Sequence, residues 1–172
     1  MDLDFISVQL SNVAQLQKIS IQTFTEAFAK DNTEENLKHY LDSAFSITEL
    51  QHQIQNPNSF FYFLRVEEEV IGYFKVNIGE SQTELKTANS MELERIYILK
   101  QYQSQGFGKT VLEKVVDLAK ILDKQWIWLG VWEHNLKAIQ FYQRFGFHKF
   151  DEHIYPIGVD PQIDWMMKLV IA

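Results

Sequence analysis

Residues 96–115 read IYILKQYQSQGFGKTVLEKV, passing from a β-like apolar run through a polar turn into a helical pattern. The turn contains Gly106 and Gly108 just where the helix should begin, although glycine is a poor helix former. A backbone that closely approaches an anion cannot carry Cβ atoms at the contact, and the first amides of a helix lack intrahelical partners. The stretch therefore predicts an anion-binding cradle, with an ordinary tight turn as the alternative.

The spacing of this turn, Gln103-x-x-Gly106-x-Gly108, differs from two common nucleotide-binding motifs. Lys109 and Thr110 follow Gly108 as in a P-loop, but the P-loop glycine five residues earlier is replaced by Gln103. The G-x-G-x-x-G dinucleotide fingerprint is not matched either. The sequence thus indicates an anion site of another kind.

Composition indicates one domain spanning residues 1–172. The chain is 46% hydrophobic and 14% aromatic, enough for a sizeable core. It has no cysteine, which excludes disulfides, thiolate nucleophiles and cysteine-built zinc sites and suits a reducing interior. The first residues lack the features of a signal peptide, and no long uncharged apolar run occurs. We therefore expect a cytoplasmic protein without membrane insertion.

The net charge of −7 disfavours binding to nucleic acids, whose backbone is anionic. It would favour a cationic small molecule or a basic peptide, although acidity can also serve solubility alone. The five histidines show no metal-ligand spacing, so no metal is expected. Trp126, Trp128 and Trp132 alternate along one strand, where packing is favoured over a stacking platform.

Periodicity and turn signals predict an α/β (α+β) fold in the order β-α-α-β-β-β-α-β-α-β-β. We expect a mixed, mostly antiparallel twisted sheet of about seven strands, with about four helices. The predicted strands cover residues 4–10, 60–66, 70–78, 91–99, 125–132, 147–156 and 162–171. Helical patterns follow Asn12 as far as Phe28, then cover 33–45, 46–55, 106–122 and 135–145.

Three segments in this order and spacing resemble the GNAT superfamily, the Gcn5-related N-acetyltransferases. They are LERIYIL (93–99), the QSQGFG turn (103–108), and NLKAIQFYQRFGF (135–147). The resemblance covers essentially the whole chain and implies acetyl-CoA as the acetyl donor, its pyrophosphate bound by the Gln/Arg-x-x-Gly-x-Gly/Ala turn. It also implies backbone pairing of the strand end with the pantetheine arm. The implied cofactor residues are Ile96, Tyr97, Ile98, Gln103, Ser104, Gln105, Gly106, Phe107, Gly108, Lys109, Thr110, Asn135, Lys137 and Tyr142.

The chemistry of acetyl transfer needs an unprotonated amine and a proton for the departing thiolate. Tyr142 resembles the family's tyrosine that donates this proton, although a tyrosine on an amphipathic helix can simply pack. Glu92 and Glu94 share one strand face and are candidate bases, with two solvated glutamates as the alternative. Glu94 lies nine residues before Gln103, as in several family members. Asn135 resembles a cofactor contact and would equally serve as a helix N-cap.

The first half of the chain resembles the bacterial PaiA-type spermidine/spermine acetyltransferases in FTEAFAKDNTEENLKHYLDSAF and NPNSFFYFL. This implies a primary amine acceptor, a polyamine, attacking acetyl-CoA directly in a ternary complex. Phe28, Asp31, Glu34 and Glu35 are the candidate acceptor residues, although the two glutamates would also suit a helix first turn. A protein N-terminal or lysine acetyltransferase and a non-catalytic CoA-binding regulator stay open as alternatives, as does a homodimer.

Overall fold

The computed structural model describes residues 1–157 and 160–171, which form seven strands and five α-helices. The strands are β1 (Leu3–Ser7), β2 (Ser59–Val66), β3 (Glu69–Ile78), β4 (Ser90–Ile98), β5 (Trp126–Trp132), β6 (His148–Ile157) and β7 (Asp160–Val170). The helices are α1 (Val13–Phe28), α2 (Glu34–Ala44), α3 (Ile47–Gln55), α4 (Phe107–Ile121) and α5 (Leu136–Phe145).

The strands form a mixed sheet in the order β1-β2-β3-β4-β5-β7-β6. Strands β4 and β5 pair in parallel, with Glu92 opposite Trp128. The pairs β1–β2, β2–β3, β5–β7 and β6–β7 are antiparallel. The predicted mixed, mostly antiparallel sheet is thereby confirmed.

The chain divides into two compact units that β4 and α4 both pass through. Unit 1 comprises residues 1–77 and 95–110, and unit 2 comprises residues 78–94 and 111–172. The core of unit 1 is built from α1, α3 and the strands β2 and β3, with Leu16, Leu50 and Tyr73 fully buried. Its other buried core members are Val8, Ile19, Phe45, Phe61, Phe63 and Leu99.

Unit 2 buries one side of α4 and the middle of β5. Val111, Val115 and Ile127 are fully buried, and Trp128 is almost so. The nearly continuous apolar run of β5 predicted a strand buried on both faces. Residues 127–129 and Val131 are buried, whereas Gly130 is exposed and Trp126 and Trp132 at the strand ends are half-buried. Within the described part of the chain, no helix has both the length and the apolar character that a membrane span requires.

Local capping explains where several helices begin and end. The Thr33 and Ser46 hydroxyls accept bonds of 3.1 Å from the amides of Asn36 and Glu49, capping α2 and α3. Gly146 ends α5 with φ +120°, a conformation that glycine adopts without strain. These boundaries confirm the sequence predictions at all three residues.

Apart from shifts of one or two residues at the element ends, two features differ from the prediction. The segment between β1 and β2 forms three helices rather than the two of the predicted element order, because Ser46 starts a new helix. Strand β1 stops at Ser7, before the predicted residue 10, because a 3₁₀ turn over Leu10–Asn12 follows. In that turn the Gln9 amide donates to Asn12 Oδ1 at 2.9 Å.

Candidate active site

The glycine-marked turn of unit 1 has the backbone that an anion cradle requires. Ser104 and Gly106 both have positive φ, at 63° and 85°. A Cβ at Gly106 would meet no atom within 4 Å, so the space beside this residue is open. Helix α4 begins at the next residue, Phe107, so its first amides follow the turn directly. We call residues 103–110 the cradle.

Side chains of the cradle hold its own backbone. Gln103 Nε2 donates to the carbonyl of Ile98, the last residue of β4, at 2.9 Å. Gln105 Nε2 donates to the Gln101 carbonyl at 3.1 Å. Gln103 therefore fixes the turn to the strand that precedes it, a role that its position in the motif did not predict.

Strands β3 and β4 approach each other closely just before the cradle. The Leu99 amide donates to the Ile71 carbonyl at 2.8 Å. A Cβ at Gly72 would lie only 2.2 Å from the carbonyl oxygen of Tyr97. Glycine is therefore required at position 72 for the end of β4 to pair where it does.

An aromatic cluster lies beside the end of β4 in unit 1. Phe24 of α1 stacks on Tyr40 of α2 with ring centroids 4.5 Å apart. The ring centroids of Phe24 and Phe28 lie 6.4 and 6.5 Å from that of Tyr97 in β4. The centroids of Phe24 and Phe28 are 4.6 Å apart. Tyr40 is 45% exposed, so the cluster reaches the surface. We call Phe24, Phe28, Tyr40 and Tyr97 the aromatic wall.

The predicted acidic acceptor residues are exposed and adjoin the aromatic wall along the chain. Asp31 follows the end of α1 by three residues, and Glu34 and Glu35 begin α2. Both glutamates stand in the first turn of α2, so the dipole role stays open beside the acceptor role.

In unit 2, the carboxylate of Glu92 is clamped by the loop that precedes β4. The backbone N–H of Thr83 donates to Glu92 Oε1 at 2.9 Å, and its hydroxyl donates to Oε2 at 2.6 Å. Glu92 is only 3% exposed. Next to Thr83, Gln82 accepts bonds from Ser90 at 2.7 Å and from the Trp128 indole at 2.8 Å. Glu92 thus anchors this loop, whereas Glu94 is half-buried.

Tyr142 lies in α5 of unit 2, and Asn135 immediately precedes this helix. Tyr142 is 8% exposed and packs against Phe141 and Phe147. Burial raises the pKa of its hydroxyl far above the usual value of 10.0, so the group keeps its proton. The Asn135 side chain accepts from the Ala138 amide at 3.3 Å and is the N-cap of α5. The cap alternative for Asn135 is thereby confirmed.

Two lysines and one tryptophan that the sequence analysis named lie at the start of helices and in the core. Lys137 is exposed in the first turn of α5, and Lys109 in the first turn of α4. Trp128 is buried and its indole donates a hydrogen bond to Gln82, in agreement with the predicted packing role. The described residues include no group of three potential metal ligands.

Residues 21–147 match the model of the acetyltransferase (GNAT) family. The chain belongs to this family. An uncharacterised N-acetyltransferase in the pepI 3′ region of Lactobacillus delbrueckii subsp. lactis is 37% identical over 167 residues, 97% of this chain and 96% of its own length. The protein is accordingly an acetyl-CoA-dependent N-acetyltransferase, as the sequence predicted.

Two further proteins are similar to this chain. The PaiA N-acetyltransferase of Thermoplasma acidophilum, solved in complex with coenzyme A, has a TM-score of 0.80 at 20% identity and covers 99% of this chain and 100% of its own. The spermine/spermidine N(1)-acetyltransferase of Bacillus subtilis is 32% identical over 85 residues, 49% of this chain and 56% of its own length. The first confirms the fold.

The cradle fits an anionic donor such as acetyl-CoA. Its open space beside Gly106 and its helix-start amides suit a pyrophosphate, which needs close backbone donors.

The sequence did not predict the contacts of Phe24, Tyr40 and Thr83. Phe24 and Phe28 are four residues apart on α1, a spacing that could have indicated a shared aromatic face. No comparable pattern pointed to Thr83, which lies in an irregular loop.

Proposed function

We propose that this N-acetyltransferase acetylates a polyamine such as spermidine or spermine, by direct attack of the amine in a ternary complex. The observation that carries the proposal is the aromatic wall, which reaches the surface at Tyr40 and is followed along the chain by exposed Asp31, Glu34 and Glu35. Aromatic faces attract ammonium groups, and carboxylates attract them at longer range. The partial match to a spermine/spermidine acetyltransferase supports the same acceptor class.

The cofactor half of the proposal assigns the cradle to the pyrophosphate. The amides that begin α4 would bind it, with Lys109 and Thr110 beside them, and the Ile96–Ile98 backbone would hold the pantetheine arm. Asn135 and Lys137 are further proposed contacts. Acetyl-CoA supplies the acetyl group as a thioester.

We assign the two proton transfers to Glu94 and Tyr142, with Glu92 in support. Glu94 would accept a proton from the substrate ammonium, directly or through water, so that the neutral amine can attack. This step is needed because a primary amine is mostly protonated near neutral pH. Tyr142 would donate a proton to the departing sulfur, which its raised pKa supports since the hydroxyl stays protonated. Glu92 would assist from the same strand face, held by Thr83.

A second candidate acceptor is an amine carried by a peptide, either an N-terminus or a lysine. The Arg95 guanidinium lies 5.3 Å from the centre of the Phe45 ring, and that ring contacts both Phe24 and Tyr40 of the aromatic wall. Guanidinium groups donate hydrogen bonds to carbonyl and carboxylate oxygens, which peptides have and polyamines lack. The donor half of the mechanism would be the same.

An amine panel at two salt concentrations separates these acceptors. Initial rates of thiol release from acetyl-CoA would be measured with spermidine, a monoamine of similar chain length, and a peptide with a free N-terminus. We expect spermidine to have the highest kcat/KM at low salt, and its KM to rise with salt more than that of the monoamine. Preference for the peptide at both salt concentrations would contradict the polyamine proposal.

A further inference from the structure

The short 3₁₀ turn that joins β4 to the cradle, Lys100–Tyr102, is bonded by two carboxylates from elsewhere in unit 1. The Lys100 amide donates to Glu26 Oε2 at 2.7 Å, across 74 residues of sequence. The Tyr102 hydroxyl donates to Glu69 Oε2 at 2.6 Å. Only the first of these bonds involves the backbone of the turn.

The bond to Glu26 gives the Lys100 amide an acceptor that the turn itself cannot provide. The first amide of a helical turn has no partner within the turn. Two later amides have such partners: the Tyr102 amide donates to the Leu99 carbonyl at 2.8 Å, and the Gln103 amide donates to the Lys100 carbonyl at 3.2 Å. Glu26 therefore caps the turn from α1, through a charged acceptor that strengthens the bond.

The same end of α1 is also attached to β4. Glu26 lies between Phe24 and Phe28 of the aromatic wall, whose rings both contact Tyr97. The end of α1 thus holds the strand by two ring contacts and the following turn by one hydrogen bond. The cradle begins at Gln103, three residues after the capped amide.

We infer that Glu26 is a positioning residue for acetyl-CoA binding: its carboxylate fixes the backbone at Lys100 and so sets the position of the cradle. Binding groups must be held to within about half an ångström to act fully, which makes one backbone bond at the entrance to the cradle consequential. The inference rests on the proposed cofactor site, and not on the identity of the acceptor.

The test compares three variants by calorimetric titration with CoA, which needs no acceptor. Glu26→Ala removes the bond, Glu26→Gln keeps an oxygen acceptor without the charge, and Glu69→Ala makes the same charge change at the neighbouring side-chain bond. We expect Glu26→Ala to raise the CoA Kd about tenfold, and the other two to stay within about threefold of wild type. With an active amine, Glu26→Ala should raise the acetyl-CoA KM and leave kcat within about twofold.

Three results would overturn the inference. An unchanged or lower Kd in Glu26→Ala would mean that the bond does not position the cradle. An equal rise in Glu26→Gln would mean that an oxygen acceptor at this bond does not hold the cradle. An equal rise in Glu69→Ala would mean that the effect is not specific to the bond between Glu26 and the Lys100 amide. Gly108→Leu, measured alongside, tests the cradle itself, so failure of the cofactor site is distinguished from failure of the Glu26 inference. The polyamine proposal does not enter any of these outcomes.

Discussion

At the residue scale, the hydroxyl of Tyr142 gives the most specific chemical prediction. Tyr142→Phe keeps the ring and its contacts with Phe141 and Phe147. We expect kcat to fall about 10²-fold or more, with the acetyl-CoA KM within a few-fold of wild type. Steady-state kinetics with the best amine would measure both. A kcat near that of wild type would assign Tyr142 to packing.

The raised pKa of Tyr142 also fixes the sign of a pH effect. A group whose pKa is raised keeps its proton up to a higher pH, so Tyr142 stays a donor beyond its usual value of 10.0. We expect no loss of kcat between about pH 8 and 10 from this group. A kcat that falls in this range in wild type but not in Tyr142→Phe would contradict the assignment.

The proposed base, Glu94, should control the acidic side of the profile. If its carboxylate removes the ammonium proton, kcat/KM rises with pH until the controlling group has lost its proton. Glu94→Gln should lower this limb by about tenfold or more. Glu92→Gln should lower the same limb less and should also lower Tm, because it weakens the Thr83 clamp. An unchanged profile in Glu94→Gln would remove Glu94 from the chemistry.

At the scale of the element, the cradle can be tested without disturbing the helix that follows. Leucine is a better helix former than glycine, so Gly108→Leu should preserve α4 while its side chain occupies the space of the anion. We expect the CoA Kd to rise about tenfold or more with little change in Tm. Lys120→Leu, in the last turn of α4, is the control. Unchanged calorimetric affinity in Gly108→Leu would contradict the pyrophosphate assignment.

The approach of β3 to β4 gives a prediction about stability. A methyl group at Gly72 would collide with the Tyr97 carbonyl, 2.2 Å from its Cβ, whereas one at Gly130 would lie 3.8 Å from the nearest side chain, that of Asp164. Gly72→Ala should cost about 3 kcal/mol and lower Tm by about 6–12 °C, and Gly130→Ala should change little. Equal melting temperatures for the two variants would show that the strands separate freely at Gly72.

At the scale of the whole molecule, most of the fold could be predicted from hydrophobic periodicity and helix-capping residues. Strand alternation, the Thr33 and Ser46 caps and the Gly146 helix end are local signals, and each was confirmed. The missed contacts join residues that are distant in sequence or lie in irregular segments. The Glu26 bond spans 74 residues, and the Thr83 clamp comes from a loop without periodicity. Such pairings depend on tertiary packing, which one sequence does not display.

Part of the candidate site was predictable because local sequence signals mark it, whereas its tertiary contacts leave no such signal. The turn at residues 103–110 could be located because glycines just before a helix are unfavourable for helix formation and so mark an unusual backbone conformation. Its stabilising bonds, from Gln103 to Ile98 and from Lys100 to Glu26, could not be located, because they join side chains to backbone groups. Of the aromatic wall, the prediction included Phe28 as an acceptor residue and Tyr97 as a cofactor residue. Phe24 and Tyr40 were not included, since their rings meet only once α1 and α2 pack.

The most direct test of the central claim is a competition for one acetyl group. Enzyme and limiting acetyl-CoA would be mixed at low salt with equal concentrations of spermidine and a peptide bearing a free N-terminus and a lysine. Mass spectrometry would then identify the acetylated product, with Tyr142→Phe run in parallel. We predict acetylspermidine as the main product, formed about 10²-fold more slowly by the variant. Acetylated peptide as the main product, or no acetylated amine at all, would contradict the account.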